Sequence, residues 1–203
     1  MQLPQMVTIP QPPENIYPLL DPNTKHKIAI IKPFQIQKFL VTQKEWSAVM
    51  GGNPSKFKGD NLPVENITYD EAVEYAQKLS QLLNLPQDKA FRLPTEWEWE
   101  WSALGGAPWE DREANLDEAW VAENSDKRTH EVGLLKSNGY GLYDVLGNVW
   151  EWTSSDFSSA KLYKVIRGGS WYYDTSKVRV AFRLVIPPSF RSNHLGFRLC
   201  KTI

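Results

Sequence analysis

The chain has 203 residues, 41% hydrophobic and 23% charged, with a formal net charge of −1. That is the mix of one soluble globular domain, without the clustered Lys and Arg that grip nucleic acid or an anionic membrane, so neither is expected as a partner. One cysteine, Cys200, excludes an intrachain disulfide, a dithiol redox pair and a Cys-rich zinc site.

Nine Trp, eight Tyr and eight Phe accompany fourteen Pro and twelve Gly. Large rings fill a core that regular structure does not supply, while Pro and Gly punctuate helices and strands. The expected class is therefore a loop-rich α+β domain with a few short helices and short antiparallel strands. No apolar run approaches the roughly 18 residues of a spanning helix. The start, Met1-Gln2-Leu3-Pro4-Gln5, lacks the basic and apolar regions of a signal peptide, so a cytoplasmic location is the default expectation.

Residues 1–27 are rich in Pro and Gln and read as an extended arm ahead of a domain over 28–203. A strand-like stretch runs from Lys27 to Phe39, in which Ile28, Ile30, Phe34 and Ile36 alternate with other residues. Three helix starts then share one pattern. Thr42 with Glu45, Thr68 with Glu71 and Thr95 with Glu98 each set a Thr three residues before a Glu, the spacing at which both side chains satisfy free backbone N–H groups.

The first helix is expected to stop at Gly51-Gly52. The second carries Ala72, Val73, Ala76, Leu79 and Leu83 at helical spacing and ends before Pro86. The third presents Trp97, Trp101 and Leu104 on one face and ends at Gly105-Gly106. Beyond Gly106 the helical period disappears, and Gly, Ser, Asn and Asp between aromatics predict short strands joined by long turns.

Several segments, in order, carry a family resemblance. They include Asn53-Pro54-Ser55, Leu62-Pro63-Val64, Phe91-Arg92-Leu93-Pro94-Thr95-Glu96-Trp97-Glu98, Asn138-Gly139-Tyr140-Gly141-Leu142-Tyr143-Asp144, Gly147-Asn148-Val149-Trp150-Glu151-Trp152-Thr153, Arg167-Gly168-Gly169-Ser170-Trp171 and Leu195-Gly196-Phe197-Arg198. In this order they resemble the formylglycine-generating enzyme (sulfatase-modifying factor) domain family, a branch of the C-type lectin-like fold. The resemblance implies that fold from about residue 30 to 199.

In the active members a cysteine pair shortly after the Gly-Gly-Ser-aromatic segment binds copper and oxidises a substrate cysteine, chemistry that soft thiolates suit. Here Trp171 to Leu199 contains no cysteine, and Tyr172, Tyr173 and Asp174 stand where the first thiol is expected. A related branch, the iron-dependent sulfoxide synthases, uses a three-His iron site. The three histidines here, His26, His130 and His194, are scattered with no helical i, i+4 pair. Neither copper nor iron is expected, and the chain reads as a non-enzyme.

Calcium is the remaining candidate. Asp144, Gly147, Val149 and Glu151 lie in one tight turn, and two carboxylates with two backbone carbonyls make an oxygen cage for a hard cation. The resemblance implies a structural calcium held by the side chains of Asp144 and Glu151 and the carbonyls of Gly147 and Val149. The alternative is that these carboxylates cap the turn or pair with Arg without metal.

The segment from about 167 to 199 departs from the family, whose members are Asn-rich there. Replacing the adenines of an Asn codon yields Tyr, Asp, His, Ser, Ile and Thr in one step, and Phe, Leu, Val or Pro in two, nearly the residues present. Lys177 does not fit. The distribution resembles the variable proteins of prokaryotic diversity-generating retroelements, with Val178, Arg179, Val180, Ala181, Arg183, Pro188 and Arg191 as scaffold.

The expected binding residues are Tyr172, Tyr173, Asp174, Ser176, Phe182, Leu184, Val185, Ile186, Phe190, Ser192, Asn193 and His194. Clustered apolar and aromatic side chains at usually polar positions mark binding surfaces, and Tyr gives much contact area at little rotamer entropy. The expectation is a non-catalytic, receptor-like binder of a macromolecule, a protein, on a Trp-packed scaffold. The alternatives are a metal-dependent oxidoreductase of the family and an interaction module of a signalling system.

Overall fold

The structure, a computed structural model, describes residues 3–13, 31–108 and 110–203. Three helices form where the Thr/Glu pattern starts them: α1 (Gln43–Met50), α2 (Tyr69–Leu82) and α3 (Glu96–Leu104). Each begins with a closed capping box. At α1 the Thr42 hydroxyl accepts from the Glu45 N–H at 3.2 Å, while Glu45 Oε2 accepts from the Thr42 N–H at 2.8 Å. Gly51 ends α1 at φ +80° and Gly105 ends α3 at φ +63°, left-handed conformations in which a side chain is strained.

Seven short strands build two sheets. Strands β1 (Met6–Ile9), β2 (Phe34–Gln37) and β7 (Cys200–Thr202) form an antiparallel sheet with β2 central. The others, β3 (Trp150–Asp156), β4 (Lys164–Arg167), β5 (Arg183–Ile186) and β6 (Leu195–Gly196), form a sheet of order β5-β4-β3-β6, in which only β6 runs parallel to its neighbour. All strands after α3 are short and separated by long turns, as the composition predicts.

Within the stretch read as an arm, Met6–Ile9 pairs along β2, with Ile9 opposite Phe34. Residues 1–2 and 14–27 of that arm, and the Ile28 and Ile30 part of the expected strand, lie outside the described residues. No helix among the described residues is long and apolar enough to cross a membrane.

Two apolar clusters fill the interior. One joins β1 and β2 to α3 and the turns at 114–146; the other joins α1 and α2 to β3, β4 and the 195–199 segment. Tyr173 packs against both.

Helix α3 corrects one expectation. Trp101 and Leu104 are buried, but Trp97 is half-buried and Trp99 takes its place in the core. The alternating Glu-Trp run gives the helix apolar side chains all round. Glu96 and Glu100 are buried with it because two arginines of the second sheet meet them: Arg167 pairs with Glu100, and Arg183 Nη2 lies 3.1 Å from Glu96 Oε1. Arg167 also lies over the Trp99 ring, its guanidinium 5.2 Å from the ring centre.

Candidate functional site

Strand β4 leads through Gly168 and Gly169, at φ +97° and +75°, into Ser170-Trp171. A Cβ on Gly169 would sit 2.7 Å from Val178, so the turn closes only on glycine. The buried Trp171 then joins both ends of the near-terminal segment. Its indole N–H donates to the Asn193 carbonyl at 3.1 Å, and its own carbonyl accepts from the Ser125 hydroxyl at 2.9 Å.

Around Trp171 the structure gathers Tyr172, Tyr173 and His194. Ring centres lie 5.5 Å apart for Tyr172 and Tyr173, 5.8 Å for Tyr172 and His194, and 6.2 Å for Tyr173 and His194. Tyr172 is 61% exposed, and the other two are half-buried. Burial among these rings pulls the His194 imidazole below its ordinary value. Phe182 continues the seam inward, 5.7 Å from Trp150.

The run Leu184-Val185-Ile186 does not act as one patch. It is strand β5, and alternation turns Leu184 and Ile186 onto the second core cluster, half-buried, while Val185 faces the other way and is exposed. Asp174 and Ser176 sit at a short 3-10 turn, Thr175–Lys177, where the Ser176 hydroxyl donates to the Asp174 carboxylate. That bond, with Lys177, holds the Asp174 carboxyl below the usual range. Phe190 is exposed, and Ser192 and Asn193 are half-buried. None of the twelve candidates is buried.

The segment is fastened by main-chain carbonyls. Tyr173 O accepts from the Ala122 N–H at 2.9 Å, Ser192 O from the Asn66 N–H at 2.9 Å, and His194 O from the Trp150 N–H at 2.8 Å. With Asn193 O on Trp171, four candidate residues are held through atoms that every amino acid possesses.

Phe57, whose ring meets Trp171 edge-on at 5.7 Å, is not among the expected binding residues. It comes from the loop before Leu62, more than a hundred residues upstream, and no periodic pattern marks it.

The turn expected to hold calcium is organised differently. Glu151 and Asp144 are both buried. Glu151 receives Arg198 through two bonds, Nε to Oε2 at 2.8 Å and Nη2 to Oε1 at 2.9 Å. Arg198 Nη2 also reaches the carbonyls of Tyr143 at 2.9 Å and Asp144 at 3.1 Å. Asp144 Oδ2 accepts from the Gly133 N–H at 2.8 Å, and Oδ1 from Asn148 Nδ2 at 3.2 Å.

Burial pushes both carboxyls above their ordinary values, opposed at Glu151 by Arg198 and at Asp144 by the Gly133 N–H and Asn148. All four carboxylate oxygens are engaged by donors, so these residues do not fit a calcium cage: a guanidinium supplies the positive charge. Gly147 has its own reason to be glycine. At φ +77° its Cβ would sit 2.3 Å from the Trp120 carbonyl, while Val149 is a buried core residue.

His130 stacks on Trp120 at 3.8 Å and its Nε2 lies 2.7 Å from the Ser125 carbonyl. His26 lies outside the described residues. Cys200 is buried beside Arg92, and burial pushes its thiol well above the ordinary value. Among the described residues no three His, Cys, Asp or Glu side chains converge as metal ligands.

Comparison with known proteins agrees with this architecture. The solved structure of Treponema denticola variable protein 1 superposes with a TM-score of 0.82 at 32% sequence identity, covering 98% of this chain and 95% of that one. Chaperone protein LppX of Paenibacillus barcinonensis is 31% identical, over 84% of this chain and 79% of that protein. Inactive C-alpha-formylglycine-generating enzyme 2 of Mus musculus is 33% identical over 68% of this chain, which spans about half of that relative's length (48%). The fold is thus the α+β, C-type lectin-like arrangement the motifs imply. Since the family model for the sulfatase-modifying factor enzyme 1-like domain matches residues 1–203, the chain belongs to that family.

Proposed function

We propose that this chain is a non-catalytic binding protein whose changeable face is built on residues 172–194 and engages a protein partner. The observation that carries the reading is the division between side chains and main chain. Tyr173, Ser192, Asn193 and His194 are fastened through their carbonyls, so replacing their side chains leaves the fastening intact. Residues between them that serve the fold are of another kind: Val178 and Val180 are fully buried, and Arg179 pairs with Asp111 and Glu113. Similarity to a protein named as variable, and to one named as inactive, supports this reading over an oxidase.

The rings at the centre suit the role. Tyr172, Tyr173 and His194 offer broad, stiff contact surfaces at small entropic cost. No cysteine stands near them for oxidase chemistry, the single thiol being buried elsewhere.

Sequencing the coding region across a natural population tests the proposal. The expected pattern is variation at template adenines confined to the codons of Tyr172, Tyr173, Asp174, Ser176, Phe182, Leu184, Val185, Ile186, Phe190, Ser192, Asn193 and His194. An imperfect repeat and a reverse transcriptase gene should lie nearby. Variation spread evenly over core and face, or stoichiometric copper with oxidation of a thiol substrate, would overturn it.

A further inference from the structure

Phe57 extends the aromatic seam beyond the near-terminal segment, and two cations cover its ring. Lys56 Nζ lies 5.5 Å and the Arg128 guanidinium 5.9 Å from the ring centre. Both residues are exposed, and neither enters an ion pair among the described residues. Glu123, Asp174 and Glu65 each have partners of their own. Glu123 Oε1 accepts from the Thr175 N–H at 3.0 Å and hydroxyl at 3.1 Å, and Asp174 is held by Ser176 and Lys177. Glu65 is buried, its Oε1 accepting from the Phe57 N–H at 2.9 Å. Two exposed cations therefore meet on one ring of this edge, and no ion pair among the described residues holds either of them.

We infer that Lys56, Phe57 and Arg128 form a constant half of the recognition face and select a protein partner whose contacting segment is acidic. This rests on the binding function proposed above and adds the partner's chemistry. Complementary charge at a rim speeds encounter and rejects wrong partners, while the rings behind it supply contact area. The cations also keep Phe57 in place, since an ammonium or guanidinium over an aromatic face is attracted to it. A nucleic acid is the poorer match. Gripping a phosphate backbone takes an extended track of cations, whereas two cations share one ring here on a chain of net charge −1.

The test uses the full chain against a displayed library of random peptides. The peptides recovered should carry an excess of Asp and Glu over the unselected pool. The double variant Lys56→Glu/Arg128→Glu alters only exposed groups, and its fold is checked by circular dichroism. It should bind those peptides about tenfold more weakly and select a pool shifted toward Lys and Arg. Four results would overturn the inference: no peptides recovered, a pool without acidic excess, the same pool from the double variant, or displacement of the peptides by an equal concentration of single-stranded oligonucleotide. Failure of the diversified-face reading would appear separately, as absent variation at codons 172–194 with the peptides' charge preference unchanged.

Discussion

Arg198 and Glu151 form a two-bond ion pair with almost no exposure on either side chain, 1% and 0%, linking the strand that follows the glycine turn to the end of the chain. Arg198 Nη1 also reaches the Gln37 carbonyl at 3.3 Å, so one guanidinium ties the four-stranded sheet to the three-stranded one. Removing one partner of such a pair strands a buried charge. Arg198→Met is expected to cost about 3–5 kcal/mol, whereas Arg198→Met combined with Glu151→Leu should recover most of that loss. Urea unfolding of the single and double variants measures both. Calcium or a chelator should leave the wild-type melting temperature unchanged, and a clear rise with calcium would show that the turn holds metal after all.

His194 makes stability depend on pH in a stated direction. Burial lowers its folded-state value below the ordinary 6.5, so the unfolded chain takes up the proton more readily. Its contribution is complete above 6.5 and is lost as pH falls through the lower, folded value. Denaturant midpoints measured across that range should decline on the acid side for the wild type and decline less for His194→Asn. Parallel profiles for the two proteins would refute the assignment.

The candidate face should tolerate change unevenly. Tyr172, 61% exposed, is expected to accept Asn with a stability change within about 0.5 kcal/mol. Leu184→Asn and Ile186→Asn place an amide against the apolar cluster of Trp150 and Trp152, at an expected cost of about 1–3 kcal/mol. Equal losses at Tyr172 and Leu184 in chemical unfolding would contradict the orientation of β5.

At the helix starts, Thr68→Ala should cost about 1 kcal/mol through loss of the cap. Glu98→Ala should cost more than Thr95→Ala. Glu98 closes the capping box of α3 and also receives both terminal nitrogens of Arg92, at 2.7 and 2.6 Å. Burial raises the Glu98 carboxyl, but Arg92 outweighs it and holds the group below its ordinary 4.5. That part of the stability is therefore present above 4.5 and lost on acidification, and thermal melts of Glu98→Gln should show a flatter acid limb.

The three helix starts were legible because a capping box is local: Thr and Glu three residues apart carry the whole signal. The turn-rich second half was legible from its Gly and Asn content for the same reason. Trp99 was not, because Glu-Trp alternation has no helical period, and its burial depends on Arg167 arriving from another sheet. Glu151 is similar. Its neighbours in sequence do not announce Arg198, which only the path of the chain brings to its carboxylate. At the candidate face, Tyr172, Tyr173 and His194 could be nominated from residue type, but the opposite facing of Leu184 and Val185 needed the strand, and Phe57 needed the folded loop that carries it to Trp171.

Cys200, the chain's one thiol, is shielded from solvent and kept protonated by burial. Maleimides and other thiol-directed reagents will thus leave the folded wild type unmodified. A cysteine substituted at Tyr172 becomes the sole reactive handle, so a fluorophore, crosslinker or surface tether can be placed there in one step without first removing the native sulfur.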